Sequence, residues 1–449
     1  MKIVFTFCFL IFTMRSFPHI VYTGTGSGSV IQNDMKGLQP GDTLAVRAGH
    51  YEKGGSFSNL TGVTVINYHG TVYFGNTVTL GNLKKVSISG SGCREDKYGI
   101  CFINMKTDAF LLEAPCSFLS VSYCEYRNLD GIAFNASRFF TTYTGEVSTL
   151  ALYKTSFSYQ KLVHSGPFFV GSWAANNQFQ NVIDSIAFLN FIVDSTSSDG
   201  NQVLAHSMYR MFASHWKITG PCPNGNHDVG IFQTSGNGTV CNVYRKDGWG
   251  YLWRAWNLGL NGRAESYLYN CIDLNTDNYG TIDTRIDPAD TTTGNKVPFC
   301  RGGNMHVLNN TIGNKRTPNY VSQLVIAGNF CSSSGYRLEV RNNLCFNTIA
   351  VGADPIIKQN TSDALRDTSN NLYSANPIRA GILLDTVLCY LNPSGTAIGG
   401  AIGYSFISAD IDGVPRPQGK LSDIGARELN PNSVKKPVPP VSRSRAKSD

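Results

Sequence analysis

The sequence predicts an all-β solenoid, a chain wound into stacked parallel strands. Three observations carry that prediction. Apolar runs, most of them three to six residues long, recur between Gly, Asn, Asp and Ser, and no long segment shows a helical period. A theme of apolar run, one or two asparagines, and apolar run returns at Asn242 (TVCNVY), Asn270 (YLYNCIDL), Asn309–Asn310 (MHVLNNTIG), Asn342–Asn343 (LEVRNNLCF) and Asn370–Asn371 (TSNNLYS). The composition is β-rich, with 45 glycines, 21 tyrosines and 25 phenylalanines against 15% charged residues.

The elements follow in chain order. Residues 1–16 open with Lys2 and run apolar from Ile3 to Met14, the pattern of a secretory signal peptide too short for a membrane span. Gly24–Ser29 is Gly-rich without a following Lys-Ser or Lys-Thr, so it reads as a flexible connection and not a phosphate loop. Val30–Leu38 places Val30, Ile31, Met35 and Leu38 near helical spacing, which predicts a short amphipathic helix capping the open end of the stack. Pro40-Gly41-Asp42 is a turn, Thr43–Arg47 a strand, and Gly49 breaks it.

Short β-type runs continue from Val63 to Val193. The asparagine marks then fall at 242, 270, 310, 343 and 371, spacings of 28, 40, 33 and 28. Irregular spacing argues against propeller blades and for a coil with loops of varying length. Asparagine suits such a coil because it tolerates left-handed backbone angles and its amide can bond the asparagine one rung away. These asparagines are therefore structural. Residues 430–449 are Pro-, Ser- and Lys/Arg-rich with little to bury, and read as a disordered basic tail.

Two motifs give a family resemblance. Leu38-x-Pro-Gly-Asp-Thr-Leu…Gly49-x-Tyr51 resembles the first coil of right-handed parallel β-helix proteins of the pectate-lyase-like superfamily. Asp410-x-Asp412-Gly413-Val-Pro-Arg416-Pro417…Asp423-Ile-Gly425-Ala426-Arg-Glu428 resembles the ending of many secreted bacterial members. The resemblance covers residues 20–429. It implies a single right-handed parallel β-helix with an N-terminal cap, and a secreted or cell-surface protein. The superfamily holds lyases, glycosidases, epimerases, tailspikes and non-enzymes, so it implies fold more than activity. Neither the acidic and G-H-G pattern of polygalacturonases nor the lysine and arginine motifs of the alginate-lyase-like branch is found, which leaves the enzyme class open, with a polysaccharide lyase expected ahead of a glycoside hydrolase.

The formal net charge of +7 is unevenly placed: the leader carries +2 and the tail +4, leaving +1 for the body. That excludes a generally basic fold for nucleic acid, and any basic site must be local. Twelve cysteines include Cys8 in the leader, and none forms a C-x-x-C pair, so a zinc ribbon or thioredoxin-type site is unsupported. They read as small buried hydrophobes, with one or two disulfides as the alternative in an exported protein.

The candidate working surface is Cys222–Gly262. It holds His227, Asp228, Gln233, Arg245, Lys246 and Arg254, and three of five tryptophans: Trp249, Trp253 and Trp256. Indoles stack on sugar rings, and Arg or Lys binds carboxylates. The segment from Arg245 to Gly262 reads as a loop-like insertion walling a groove. Elimination at a uronic acid needs a neutralised carboxylate, a base and a group for the leaving oxygen; Arg254 suits the first and Lys246 the second. His227-Asp228-x-x-x-x-Gln233 resembles a β-helix rung element, although alternation puts His227 and Asp228 on opposite strand faces. Packing of an aromatic cluster is the alternative for the same residues.

Downstream, Asp283, Arg285 and Asp287 share one strand face. Asp283 and Arg285 are candidate substrate-binding residues, and a carboxylate from the next rung would complete a retaining pair. With Asp273, Asp277 and Asp290 nearby, Ca2+ is a further assignment, against an Asp–Arg ion-pair ladder. His206 and His215 match no metal-binding spacing. The expected function is binding of an extracellular, uronic-acid-containing polysaccharide, with cleavage by β-elimination. The alternative is a non-catalytic surface or adhesion protein holding glycans in the same groove.

Overall fold

The computed structural model describes residues 18–30, 32–95, 97–137, 151–171, 183–196, 202–205, 208, 210–220, 230–233, 236–248, 250–256, 264–275, 280–285, 303–314, 324–327, 337–348, 354–359 and 365–429. The leader 1–16 and the tail 430–449 lie outside them. The described strands form one 22-stranded and one 11-stranded sheet, and every pairing between named strands is parallel. The chain is a right-handed parallel β-helix, the hand that strand–crossover–strand connections take almost without exception.

One coil shows the plan. Asn237–Cys241 is the first strand, Tyr244–Lys246 the second and Trp253–Trp256 the third. First and second strands of successive coils build the large sheet, here faces one and two; third strands build face three. Single residues with left-handed backbone turn the corners, such as Asn242 (φ 53°) and Asp247 (φ 59°) in this coil. In the next coils the same corners are Asn270 and Asn275, Asn309 and Asn314, then Asn342 and Asn347. Asparagine recurs there because its short polar side chain tolerates that backbone region.

The corner asparagines make two ladders. On the outside, Asn270 Nδ2 donates to Asn242 Oδ1 at 3.3 Å and Asn342 Nδ2 to Asn309 Oδ1 at 3.2 Å. On the inside, Asn310 Nδ2 donates to Asn343 Oδ1 at 3.0 Å, and Asn343 Nδ2 to Asn371 Oδ1 at 2.9 Å. Asn310 and Asn343 thus stack on adjacent coils, as the asparagine theme predicts. Each inner amide also caps backbone groups that the turning chain leaves without a ladder partner, such as Asn310 N–H and Val307 C=O at Asn343.

Upstream, the core is aromatic. Phe74, Phe102 and Tyr126 stack through successive coils at 5.3 and 5.5 Å, Phe157 stacks on Phe188 at 5.6 Å, and Phe191 stacks on Trp216 at 4.8 Å. Each ring buried this way contributes about 2–3 kcal/mol of hydrophobic stabilisation.

The ends are closed differently. At the N-terminus Ile20–Thr23 adds a parallel strand to Thr43–Val46. The helix expected over Val30–Leu38 is one 3-10 turn, Gln32–Met35, with Val30 and Met35 buried in the core. The Gly24–Ser29 run, expected to be a flexible connection, is bonded into the first coil: His50 N–H donates to Gly26 C=O at 2.8 Å and Lys53 N–H to Gly28 C=O at 2.9 Å. Gly49 permits that approach, since a Cβ there would lie 2.1 Å from Gly26 O. Asp42 of the turn accepts N–H groups of Gln39 and His19, which hold its carboxyl below the usual range.

Residues 375–429 form a strap of turns laid back over the outside of face two. Ile382, Leu383, Leu391, Ala401 and Ile424 pack on Ile272, Leu274, Leu344 and Phe346 in a second apolar cluster. The outer asparagines dock it: Asn270, Asn342 and Asn309 donate to Ala409, Ile402 and Asp423 carbonyls at 2.7, 2.8 and 3.2 Å. Within the strap, Glu428 accepts from buried Arg416 at 2.9 Å and from the Gln418 and Asp423 N–H groups, while Asp410 accepts the Glu428 N–H. The Asp410…Glu428 sequence motif is therefore the fastener of this strap.

Candidate functional site

The residues singled out from Cys222–Gly262 do not converge. Arg245 is fully buried inside the coil, with Nε and Nη2 donating to Asp273 at 2.8 and 2.7 Å. It cannot bind substrate. Trp253 also has no exposed surface; its indole fills the core space that Gly238 leaves, where an added Cβ would lie 2.5 Å from the ring. It is core, not a sugar platform. Gln233 is buried and donates to Asn237 C=O at 3.2 Å. The described part of the expected loop-like insertion instead holds two strands, Tyr244–Lys246 and Trp253–Trp256, while 249 and 257–262 lie outside the described residues. Trp253 and Trp256 stand on the second of these strands, where aromatic residues are favoured.

Lys246 is partly exposed on face two, whereas Arg254 lies on face three. The two faces are divided by the corner at Asp247. Arg254 pairs in register with Asp283 of the next coil, Nε to Oδ2 3.2 Å, and its guanidinium sits 5.3 and 5.1 Å from the Phe232 and Tyr251 ring centres. Its charge is already matched. Trp256 and Arg285 are register partners on face three. His227, Asp228 and Trp249 lie outside the described residues, as do His206, Asp277, Asp287 and Asp290. For the calcium assignment, Asp273 and Asp283 are each paired to an arginine on a different face, and among the described residues no group of three or more His, Cys, Asp or Glu is placed to hold a metal. His215 takes a corner, its Nδ1 2.6 Å from Ser214 Oγ.

A different set does converge, on the outer surface of face one beside the strap. Strand alternation points Glu265, Tyr267, Asn304, His306, Arg337, Glu339, Arg341 and Asp367 outward, and the parallel register lines them up across four coils. His306 stands between two carboxylates: Nδ1 is 2.5 Å from Glu339 Oε2 and Nε2 is 3.1 Å from Glu265 Oε2. Tyr404 of the strap donates to the other Glu339 oxygen at 2.7 Å, and Asn304 donates to Glu265. Tyr267 lies flat on the imidazole at 4.5 Å, with Phe406 of the strap edge-on to it at 5.4 Å.

The electrostatics divide the set into a held end and an open end. Glu339 is 9% exposed and Glu265 is 41% exposed. Arg341 grips Asp367, Nε to Oδ1 2.8 Å, which holds the Asp367 carboxyl below the usual range and raises the guanidinium further. Burial, then the bond to Glu339, raises the Tyr404 hydroxyl, and burial raises Tyr267, so both phenols stay protonated. Arg337, half exposed, reaches Asp367 only at 3.6 Å. Each His306–carboxylate contact needs one proton, so the three groups share two. The arrangement can pass a proton between an exposed carboxylate and an imidazole oriented from behind.

The sequence did contain a signal for this set. Tyr267, His306, Glu339 and Asp367 each stand three residues before the outer asparagine of their coil (Asn270, Asn309, Asn342, Asn370). Aligning the coils on that asparagine brings them into one column.

No family model matches the chain, and no curated protein matches its sequence. Among solved structures, the crystal structure of pectate lyase Pel9A is similar in fold: 13% identical, TM-score 0.42, covering 92% of this chain and 97% of that one.

Proposed function

We propose that this chain is a secreted or cell-surface protein that binds a uronic-acid-containing polysaccharide on the outer surface of face one and cleaves it by β-elimination. The observation that supports this most is the line Glu265–His306–Glu339, an exposed carboxylate backed by an oriented imidazole. A sugar lying over Asn304 meets Glu265 on one side and Arg337 on the other, two rungs or about 10 Å apart. Arg337 neutralises the uronate carboxylate. Glu265 takes the proton from the carbon next to that carboxylate, the bond to the leaving oxygen breaks, a carbon–carbon double bond forms, and the leaving oxygen takes up a proton from water. His306 stabilises the carboxylate before transfer and the shared proton after it. The imidazole fills the space between Glu265 and Glu339, so those two cannot flank a bond or a water as a hydrolase pair does.

The test is a panel of uronic-acid polymers followed by the ultraviolet absorbance of an unsaturated product. Glu265→Gln and His306→Ala should each lower turnover about 100-fold or more with melting unchanged. No product from any polymer would refute cleavage. The second reading, a glycan-holding protein without turnover, is favoured by one detail: Glu265 is already bonded by Asn304 and His306. It predicts binding of the same polymers with no absorbing product.

No helix of the described residues is long and apolar enough to cross a membrane.

A further inference from the structure

The outer surface of face one continues upstream of His306, and its character changes. The column that holds Tyr267 and His306 runs back through Thr239, Phe212 and Ala187 to Ser156, Ser120 and Ser87. Two residues further along each of those early strands stand Ser158, Ser122 and Ser89. Three successive coils therefore present Ser-x-Ser, a floor in which Ser87, Ser120, Ser156 and Ser158 are partly exposed while Ser89 and Ser122 are buried. Ser122 Oγ donates to Ser89 Oγ at 3.0 Å, so the floor is itself hydrogen-bonded.

Aromatic rings stand along both margins of this floor. On one margin Tyr123 and Tyr159 stack at 4.6 Å and 5° between planes, and Tyr159 is 38% exposed. On the other, Phe118 is 40% exposed, with Tyr153 edge-on and Lys154 Nζ 5.3 Å from its centre. The tyrosines are not what the corner needs. Tyr123 and Tyr159 have left-handed backbone (φ 55° and 53°) in the same corner column where later coils carry Asn190, Asn242, Asn270 and Asn309. A bulky ring is the costlier choice there, and it stands at two of the three coils that hold the serine floor. Lys85 and Lys154 line the opposite margin, both exposed, and neither makes an ion pair with a described residue.

We propose that this serine-floored trough is a second glycan-binding site, taking an acidic polysaccharide chain that runs along the helix axis toward Glu265 and His306. Hydroxyls match sugar hydroxyls, the Tyr159 ring stacks on a sugar face, and Lys85 and Lys154 meet carboxylates. Ser156 and His306 are five rungs apart in one column, about 24 Å, so only a polymer spans both. The polymer direction rests on the function proposed above; the trough as a glycan site does not rest on turnover.

The experiment measures binding of polygalacturonate, alginate and their trisaccharides to the full chain, all in the Glu265→Gln background so that nothing is consumed. Tyr123→Asn/Tyr159→Asn replaces the stack with residues that suit the corner and should weaken polymer binding about tenfold while leaving trisaccharide binding at the Glu265 end unchanged. Should that variant melt early, Lys85→Gln/Lys154→Gln carries the test, because both side chains are exposed; a loss of about threefold is expected, and it should vanish at high salt. Polymer binding equal to the parent in both variants overturns the proposal, as does a wild-type chain that binds neither polymer. Tyrosine-dependent binding without any turnover by the wild-type chain upholds the trough and refutes cleavage. Turnover with tyrosine-independent binding does the reverse.

Discussion

The upstream and downstream halves of the solenoid use one coil plan and stabilise it differently. A single column makes the comparison. Just inside the first corner, successive coils carry Cys124, Gln160, Phe191, Trp216, Val243, Cys271, Asn310, Asn343 and Asn371. Upstream the column is filled largely by apolar and aromatic side chains, as at Phe191 on Trp216; downstream it is an amide ladder. The parallel stack fixes where a side chain points but not what chemistry fills the position. Hydrophobic filling tolerates substitution by volume, whereas a bonded buried amide tolerates none that leaves its partners unpaired.

The largest effect should come from a fully buried charge pair inside the downstream coils. Arg245 and Asp273 are both buried, and Thr281 donates to the same carboxylate at 2.6 Å. Arg245→Met leaves Asp273 buried without its cation and should cost about 3–5 kcal/mol in urea unfolding. Arg245→Met/Asp273→Leu should recover most of that loss. A loss under about 1 kcal/mol for the single variant would mean water reaches the pair.

Next in size is the ladder itself. Asn343→Ala removes partners from Asn310 N–H, Asn310 Nδ2, Val307 C=O and Asn371, and should cost about 3 kcal/mol. Cys124→Ala, in the same column upstream, loses only a small buried side chain and should cost about 1 kcal/mol. Equal losses would show that the column position, not the amide, sets the penalty.

Third is the strap, which packs on the downstream half. Gly425 donates its N–H to Asn342 C=O at 2.8 Å with φ +100°, and an added Cβ would lie 2.8 Å from Thr311 Oγ1. Gly425→Ala should cost about 1–2 kcal/mol and raise hydrogen exchange across 409–428 before any change upstream. Because Tyr404 on the strap holds Glu339, turnover should fall with it.

These contrasts show how much of the protein was legible in its sequence. The stack and its asparagine corners were, because left-handed corners select asparagine in the chain itself. The Asp410…Glu428 motif marked its own place, although not that it fastens a strap to Asn270, Asn309 and Asn342. The site was not legible from local density. Trp249, Trp253 and Trp256 drew attention by crowding, yet Trp253 is crowded because Gly238, fifteen positions earlier in the chain, leaves room for a ring. Glu265, His306 and Glu339 are 41 and 33 residues apart and meet only through the coil register. Local windows see the first kind of pattern; only coil-by-coil alignment sees the second.

The smallest expected effect is shared by both halves, and so tests whether the outer surface, unlike the core, behaves uniformly. Upstream, Arg210 grips Asp184 with Nε and Nη2 at 2.7 and 2.6 Å; downstream, Arg341 grips Asp367. In each case the hydrogen-bonded guanidinium holds the aspartate below its usual value of 3.8. A carboxyl lowered in the folded state stabilises the fold above its unfolded value, and that contribution is lost as pH falls through the folded one. Wild-type stability should therefore decline as pH drops below about 3.8, partly through these two pairs. Arg210→Gln and Arg341→Gln should each flatten that decline. Both pairs are partly exposed, so each change should stay under about 1 kcal/mol at neutral pH and shrink with added salt. If Arg341→Gln steepens the decline while Arg210→Gln flattens it, the freed Asp367 is drawing on the Glu339–His306 set, and the downstream surface is coupled where the upstream one is not.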